Sequence, residues 1–172
     1  DSSTSRGLGD VYKRQLSLRL GGSSKINGHH NISYYGDLSA IMIQNLPFWA
    51  EWRSTPSNDI ALLEDWEEKV EKISHQVINQ NVTSLFGVPS WMLVLIRHVL
   101  SINGNDSISS IWPNLELFCH GGVSFTPYSE SFKKLLPDNC MFLETYNASE
   151  GFFAIQDRIG AVSYTHLRAH ET

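Results

Sequence analysis

Apolar and polar residues alternate at the start of the interpretable sequence. Leu16, Leu18 and Leu20 are separated by single polar residues, and this period of two is typical of a strand with one buried face. Two glycines, Gly21-Gly22, end the pattern, and the chain from there to about residue 35 is polar. The sequence therefore predicts a short strand followed by a long loop.

A longer period predicts an amphipathic helix over Asp65–Gln80. Its apolar residues recur every three or four positions, which places them on one face of a helix. Acidic residues crowd its first turns, where the helix dipole favours negative charge. The apolar positions are Leu62, Trp66, Val70, Ile73 and Val77.

The rest of the chain alternates between predicted strands and predicted helices. The strands are 82–88, 115–120, 141–146 and 152–155, and the helices are 91–102 and 127–136. Residues 36–44 are apolar and compatible with either a strand or a helix, and residues 46–52 are rich in aromatic side chains. Alternation of this kind predicts an α/β fold, with a mostly parallel sheet flanked by helices.

The two ends of the chain lack a hydrophobic period and resemble translated DNA of a transposase-based sequencing adaptor. GAT GTG TAT AAG AGA CAG encodes residues 10–15, and TCT TAT ACA CAT CTC CGA GCC CAC GAG encodes residues 163–171. We therefore expect residues 1–15 and 161–172 to be disordered, adaptor-derived tails. Residues 16–160 are then a fragment of a larger domain. Two natural disordered tails are the alternative.

The net charge of the chain restricts the classes of molecule that it can bind. The chain has 13 Lys and Arg against 18 Asp and Glu residues, a formal net charge of −5, and residues 16–160 alone carry −6. An acidic chain is a poor partner for nucleic acid or an anionic membrane. No apolar run reaches the roughly 18 residues of a membrane-spanning helix. We expect neither nucleic-acid nor membrane binding.

The two cysteines, Cys119 and Cys140, lie in apolar, strand-like segments. Buried free thiols are favoured over a disulfide in this setting, and free thiols suit the cytoplasm. We therefore expect a cytoplasmic protein. Nothing in the sequence indicates an obligate protein partner.

Three predicted strands end in loops of unusual composition. These loops are residues 87–90, 121–124 and 147–151. Parallel sheets bind ligands at the carboxyl ends of their strands. If the three strands are neighbours, the loops line one crevice.

Small residues in these loops have two interpretations. Gly121-Gly122 would let the backbone approach a flat or anionic ligand closely, or would only make a tight turn. Asn147 and Ser149 would donate hydrogen bonds to a phosphate, or would only stabilise a turn. The pattern leaves both alternatives open.

Larger side chains at the same strand ends also have two interpretations. Glu150 would hold Mg²⁺ through a hard oxygen ligand, or would cap a turn. His120 would polarise a substrate, or would be a hydrogen-bonded core histidine. Trp91 and Met92 would line an acyl pocket, or would pack in the core.

Three segments together resemble one enzyme family. They are VTSLFGVPSWMLVL (82–95), WPNLELFCHGGVSFTPY (112–128) and YNASEGFF (146–153). In this order they resemble the Gretchen Hagen auxin-responsive promoter family, the acyl acid-amido synthetases, and most nearly its bacterial branch. The resemblance runs from about residue 21 to residue 157. It implies a partial N-terminal domain of an adenylate-forming enzyme.

The resemblance implies a ligase with ATP and Mg²⁺ as cofactors. A small carboxylic acid would be adenylated, and the acyl group would pass to an amino acid. Glu150 would be the catalytic residue and the metal ligand. The residues implied in nucleotide binding are Gly121, Gly122, Val123, Tyr146, Asn147, Ala148, Ser149 and Gly151. The residues implied in substrate binding are Val88, Trp91, Met92 and His120.

The chain departs from the family pattern at both ends. The phosphate loop of the family is expected before Leu16, and its later nucleotide motif and mobile C-terminal domain after Gly160, where adaptor-like sequence stands instead. We therefore expect the chain alone to be inactive. Two alternatives stay open: an adenylating ligase that forms a thioester, and a non-catalytic relative that binds nucleotide or acyl ligand.

Overall fold

The computed structural model describes residues 15–22, 26–30, 33–148 and 151–156. Apart from Gln15, the tails predicted at 1–15 and 161–172 lie outside these residues. The elements in chain order are β1 (Ser17–Leu20), β2 (Ile26–His30), β3 (Ser33–Gly36), α1 (Leu38–Gln44), α2 (Phe48–Glu51), β4 (Ser54–Thr55), α3 (Asn58–Ala61), α4 (Trp66–Val77), β5 (Ser84–Gly87), α5 (Pro89–Asn103), a 3₁₀ turn (Ile108–Ser110), β6 (Leu117–His120), α6 (Ser129–Leu135), β7 (Met141–Ala148) and β8 (Gly151–Ile155).

Six strands of the described chain form one sheet, in the order β4-β1-β5-β6-β7-β8. The first five run parallel to one another, and β8 is antiparallel to its neighbour β7. Strands β2 and β3 form a separate antiparallel hairpin. The predicted α/β fold with a mostly parallel sheet is confirmed.

The core lies between one face of the sheet and the helices α4, α5 and α6. Burial alternates along β1 and β6, because successive side chains point to opposite faces of a strand. Burying a large apolar side chain stabilises a fold by roughly 1.5–3 kcal/mol. The cluster includes Leu18 and Leu20 of β1, Leu85 of β5, Phe118 of β6, Val70, Ile73 and Val77 of α4, Leu95, Ile96 and Val99 of α5, and Phe132 of α6.

Helix α4 confirms the predicted amphipathic helix and ends three residues earlier than expected. Its start is fixed by Asp65, whose carboxylate accepts a hydrogen bond from the backbone N–H of Glu68 at 2.8 Å. This satisfies one of the N–H groups that a helix start leaves without a partner. On the exposed side, Lys72 and Glu68 form an ion pair at 2.7 Å.

The ambiguous segment 36–44 is helical. Asp37 accepts a hydrogen bond from the N–H of Ala40 at 3.1 Å and caps α1. Because Ala40 and Ile43 are one helical turn apart and both buried, the segment presents a single face to the protein. The capping aspartate favours the helix over a strand.

Two sequence predictions about loops need correction. The polar stretch before residue 36, predicted as a loop, holds the β2–β3 hairpin. Of the turn predicted at 147–151, Asn147 and Ala148 belong to β7 and Gly151 begins β8, while residues 149 and 150 lie outside the described residues. Both hairpins are held by ladder hydrogen bonds between main-chain groups, which leave no apolar period in the sequence.

Two other predictions concern the environment of the chain. Both cysteines are free, and burial raises the pKa of the Cys140 thiol to about 11. Among the residues that the structure describes, no helix is both long and apolar enough to cross a membrane.

Candidate functional site

The carboxyl ends of the three parallel strands β1, β5 and β6 lie at the same edge of the sheet, level with Glu144 of β7. Leu20 of β1 pairs with Gly87 of β5, Gly87 pairs with His120 of β6, and His120 pairs with Glu144 of β7. The loops that follow β1, β5 and β6 therefore leave the sheet side by side. Strand β7 instead continues past this edge for four residues and pairs there with β8.

Close contacts join the loops after β5 and β6 to each other and to strand β7. A Cβ placed on Gly122 would lie 3.4 Å from Cγ2 of Val88, so the loops after β5 and β6 touch. A Cβ on Gly121 would collide with the main-chain oxygen of Thr145 in β7. The hydroxyl of Thr145 also donates to the carbonyl oxygen of His120 at 3.3 Å.

These contacts explain the glycine pair after β6 without a ligand. Gly121 is required because β7 packs against its backbone. Gly122 has φ of 82°, in the left-handed region that other residues rarely adopt. The next residue, Val123, is 41% exposed. The backbone is thus turned sharply, and the turn is open on the side of Val123.

His120 is almost completely buried, with 3% of its surface exposed. Its ring stacks on Phe125 with centroids 4.1 Å apart, and it lies 5.3 Å from the ring of Phe118. Its Nδ1 is buried and has no hydrogen-bond partner among the described residues. The described residues therefore do not supply the hydrogen bond that the core-histidine alternative requires at this nitrogen.

The electrostatics at His120 favour the neutral ring. Burial lowers the pKa of His120 below its ordinary value because it disfavours the charged form, and the carboxylate of Glu144 acts in the opposite direction. A neutral imidazole has one nitrogen that donates and one that accepts. Nδ1 is therefore able to do either, depending on the tautomer.

The residues proposed to bind the acyl group differ in how deeply they are buried. Val88 is half-buried and precedes the first turn of α5. Trp91 is 49% exposed and packs edge-to-face on Trp66, with ring centroids 4.3 Å apart. Met92 is fully buried in the core, with its Cε 3.4 Å from the position of a Cβ on Gly87. Its position fits the packing alternative.

Strands β7 and β8 carry four of the residues proposed for the nucleotide, Tyr146, Asn147, Ala148 and Gly151. Tyr146 is 41% exposed, and its ring lies 5.5 Å from that of Phe153. Asn147 is exposed and pairs with Phe152, and Ala148 pairs with Gly151. Ser149 and Glu150, which follow Ala148 in the sequence, lie outside the described residues, so their roles stay predictions.

A metal site is not formed by the described residues. Among them, no group of three His, Cys, Asp or Glu side chains is arranged to hold a metal ion. A lone carboxylate together with phosphate oxygens and water suits Mg²⁺. The carboxylate predicted for this role is that of Glu150.

Four residues at this edge were not assigned to the candidate site from the sequence. Thr145 fixes the ends of β6 and β7, Phe125 covers His120, Trp66 pairs with Trp91, and Lys69 is buried beside the end of β1. Trp66 and Lys69 lie in the first turn of α4, and a helix that follows a parallel strand starts at the carboxyl edge of the sheet. This rule could have assigned Trp66 and Lys69 to the edge from the sequence. The contacts of Thr145 and Phe125 depend on tertiary structure.

A protein-family model matches most of the chain. Residues 13–141, about three-quarters of the chain, match the model of the GH3 family N-terminal domain. The match includes Val88, Trp91 and His120 and ends before Tyr146. It begins at Lys13, inside the segment expected to be adaptor. No curated protein matches the chain.

Proposed function

The chain belongs to the GH3 family, and we propose that it is part of a ligase that adenylates a small carboxylic acid and passes the acyl group to an amino acid. The family consists of acyl acid-amido synthetases, which activate acids as acyl-adenylates with ATP and Mg²⁺. The observation that carries the proposal is the match over residues 13–141. The substrates and the amide-forming step are the proposed part.

The proposed reaction has two steps. An oxygen of the acid attacks the α-phosphorus of ATP, and pyrophosphate leaves. The nitrogen of the amino acid then attacks the acyl carbon, loses a proton, and AMP leaves. The first step brings two anions together, so fixed donors that face the developing charge have the largest effect on its rate.

The carboxyl edge supplies candidates for each part of the substrates. We propose that Val88 and Trp91 contact the acyl group, and that the Gly121–Val123 turn and Tyr146 contact the adenosine. His120 supplies a buried ring nitrogen without a partner among the described residues. Such a group costs about 1–3 kcal/mol unless it is satisfied, so we assign it a hydrogen bond to the bound substrate.

Glu150 completes the proposal. Its carboxylate would hold the magnesium ion, which offsets the charge of the phosphates when bound. Asn147 and Ser149 would donate hydrogen bonds to the nucleotide, with Ala148 and Gly151 leaving room for it. We further propose that the chain alone does not turn over ATP, because the phosphate loop of the family is not found in its sequence.

Binding of a stable intermediate mimic tests the proposal on the chain itself. We would titrate AMP and benzoyl-sulfamoyl adenosine, a non-hydrolysable mimic of an acyl-adenylate, into the ¹⁵N-labelled chain and follow the amide signals. We expect shifts at residues 121–123 and 145–147 with both compounds, and at Val88 with the mimic only. Shifts confined to other parts of the sheet, or no shifts, would refute the assignment.

Acid-dependent exchange of pyrophosphate into ATP separates the alternatives. We expect none from the 172-residue chain and exchange from the protein encoded by its uninterrupted source gene. Transfer of the acyl group to coenzyme A rather than an amino acid would favour a thioester-forming ligase. Binding of the mimic without exchange by the gene-length protein would favour a non-catalytic relative.

A further inference from the structure

Lys69 of α4 is buried at the carboxyl edge of the sheet, with 2% of its surface exposed. Its ammonium group donates hydrogen bonds to the carbonyl oxygens of Gly21 at 2.8 Å and Gly22 at 2.9 Å. Burial lowers the pKa of Lys69, and the carboxylate of Asp37 opposes this shift. A buried charge is tolerated only with hydrogen-bond partners. The partners here are the first two carbonyl groups after β1.

The same glycines are tied to the start of α1. The N–H of Gly22 donates to Oγ of Ser39 at 2.6 Å, and the Ser39 hydroxyl donates to Asp37 at 2.5 Å. Asp37 in turn caps α1 through the N–H of Ala40. One hydrogen-bond network therefore connects α4, the end of β1 and the start of α1.

This network closes the base of the β2–β3 hairpin. The chain leaves β1 through Gly22 and comes back to the same place at Asp37, the N-cap of α1. A Cβ on Gly22 would collide with the Asp37 carboxyl group. The two ends of segment 23–36 thus meet beside the ammonium of Lys69. The hairpin is attached to the protein at the same edge as the candidate site.

The end of β1 also supports the loop after β5. Leu20 pairs with Gly87, and a Cβ on Gly87 would lie only 2.9 Å from the Leu20 carbonyl oxygen. Val88 follows directly, and its carbonyl oxygen accepts the N–H of Met92 at 3.0 Å. A displacement of the β1 end would therefore be transmitted to Val88 through close-packed main chain.

We propose that Lys69 is a positioning residue for the acyl side of the site. Its ammonium fixes the base of the β2–β3 hairpin and the end of β1 next to Val88. Lys69 acts through these main-chain groups, with no contact to the substrate. The inference rests on the proposed function, because that proposal is what assigns the acyl group to Val88.

Amide hydrogen exchange tests the anchor without any ligand. We would compare the chain with its Lys69→Met variant, which keeps the length of the side chain and removes its charge. Loss of hydrogen bonds to a charged group is expected to speed exchange about tenfold or more at Gly22 and Met92. Met141, whose N–H donates to Glu116 at 2.8 Å at the opposite edge, reports on global opening.

Two further variants keep the test decisive. Lys72→Met removes an exposed lysine of the same helix and should leave exchange at Gly22 and Met92 unchanged. Ser39→Ala breaks the network from the side of α1 and covers the case in which Lys69→Met does not fold. Unchanged exchange at Met92 in both network variants, or equal acceleration at Met141, would overturn the positioning role.

Ligand affinity then separates positioning from plain stabilisation. In Lys69→Met, or in Ser39→Ala if that is the folded variant, we expect benzoyl-sulfamoyl adenosine to bind at least about fivefold more weakly, a loss of about 1 kcal/mol, with AMP affinity unchanged. An equal loss for both ligands would contradict the acyl-side assignment. If the unmodified chain binds neither ligand, the proposed function fails for this chain, whereas the exchange rates still decide whether Lys69 anchors Val88.

Discussion

The glycine pairs after β1 and β6 look alike in sequence but differ in their surroundings. Beside Gly21-Gly22, the buried titratable side chain is that of Lys69, and its ammonium group donates hydrogen bonds to both carbonyl oxygens. Beside Gly121-Gly122, the buried titratable side chain is that of His120, and its Nδ1 has no partner within the described chain. One pair is held by hydrogen bonds from a helix, and the other by direct packing on the main chain of Thr145.

This difference suggests different roles for the two places: the end of β1 anchors the backbone, and the end of β6 is the proposed place of ligand binding. A satisfied network holds the backbone in one conformation and leaves nothing for a ligand to complete. An unsatisfied buried nitrogen lowers stability until a partner arrives. The contrast supports the proposal that His120 donates to or accepts from the bound substrate, and that the end of β1 supports the acyl side at Val88.

The largest effect is expected at Glu150, the carboxylate that we propose holds the magnesium ion. In the gene-length enzyme, Glu150→Ala should cost the adenylation step about 3–4 kcal/mol of transition-state stabilisation, the scale of one lost electrostatic contact. The measurement is acid-dependent pyrophosphate exchange. A rate equal to that of the unmodified enzyme would remove Glu150 from the mechanism.

A second test compares the first glycine of each pair. Gly121→Ala forces a Cβ into the main-chain oxygen of Thr145 and should destabilise the chain by about 3 kcal/mol, since backbone cannot move aside. Gly21→Ala meets Cδ1 of Ile43 at 2.7 Å, the flexible end of a side chain, and should cost about 1 kcal/mol. Urea unfolding measures both. Equal losses would show that the two pairs are constrained in the same way.

The smallest predicted effect is on how the stability of the fold depends on pH, through the buried side chain of His120. The folded pKa of His120 is lowered by burial, so the unfolded chain takes up a proton first as pH falls below about 6.5. Unfolding is then favoured, and stability is lost towards acid pH. His120→Asn keeps a polar group near the Nδ1 position without this titration, so it should lose less stability between pH 7.5 and 5.5.

Thermal unfolding at the two pH values measures this difference. His75→Asn, at an exposed position of α4, controls for the loss of one histidine. We expect it to follow the unmodified chain at both pH values. If His120→Asn also follows the unmodified chain, burial of the His120 ring has no part in the pH response.

The periodic elements could be predicted from the sequence. Helix α4 follows from an apolar stripe and an acidic cap at Asp65, because these are local properties. Predicted and observed bounds of α4, α5, α6, β5 and β6 differ by at most three residues. The β2–β3 hairpin and the extension of β7 were missed, since main-chain pairing between strands leaves no local pattern.

The candidate site could be predicted in part. The loops after β5 and β6 were found because glycine and proline mark strand ends, and the register places them side by side. The substrate role of Met92 stays a prediction, and its full burial favours packing. Glu150, the centre of the chemical hypothesis, lies outside the described residues.

The sequence by itself determined the α/β alternation, the helical faces and the family, because each is encoded in residues close along the chain. Tertiary structure alone decided that Lys69 is bound to the end of β1 and that Nδ1 of His120 is left without a partner within the described residues. Lys69 and Gly21 are 48 residues apart. Contacts over such separations depend on how helices pack on a sheet, and no local pattern specifies them.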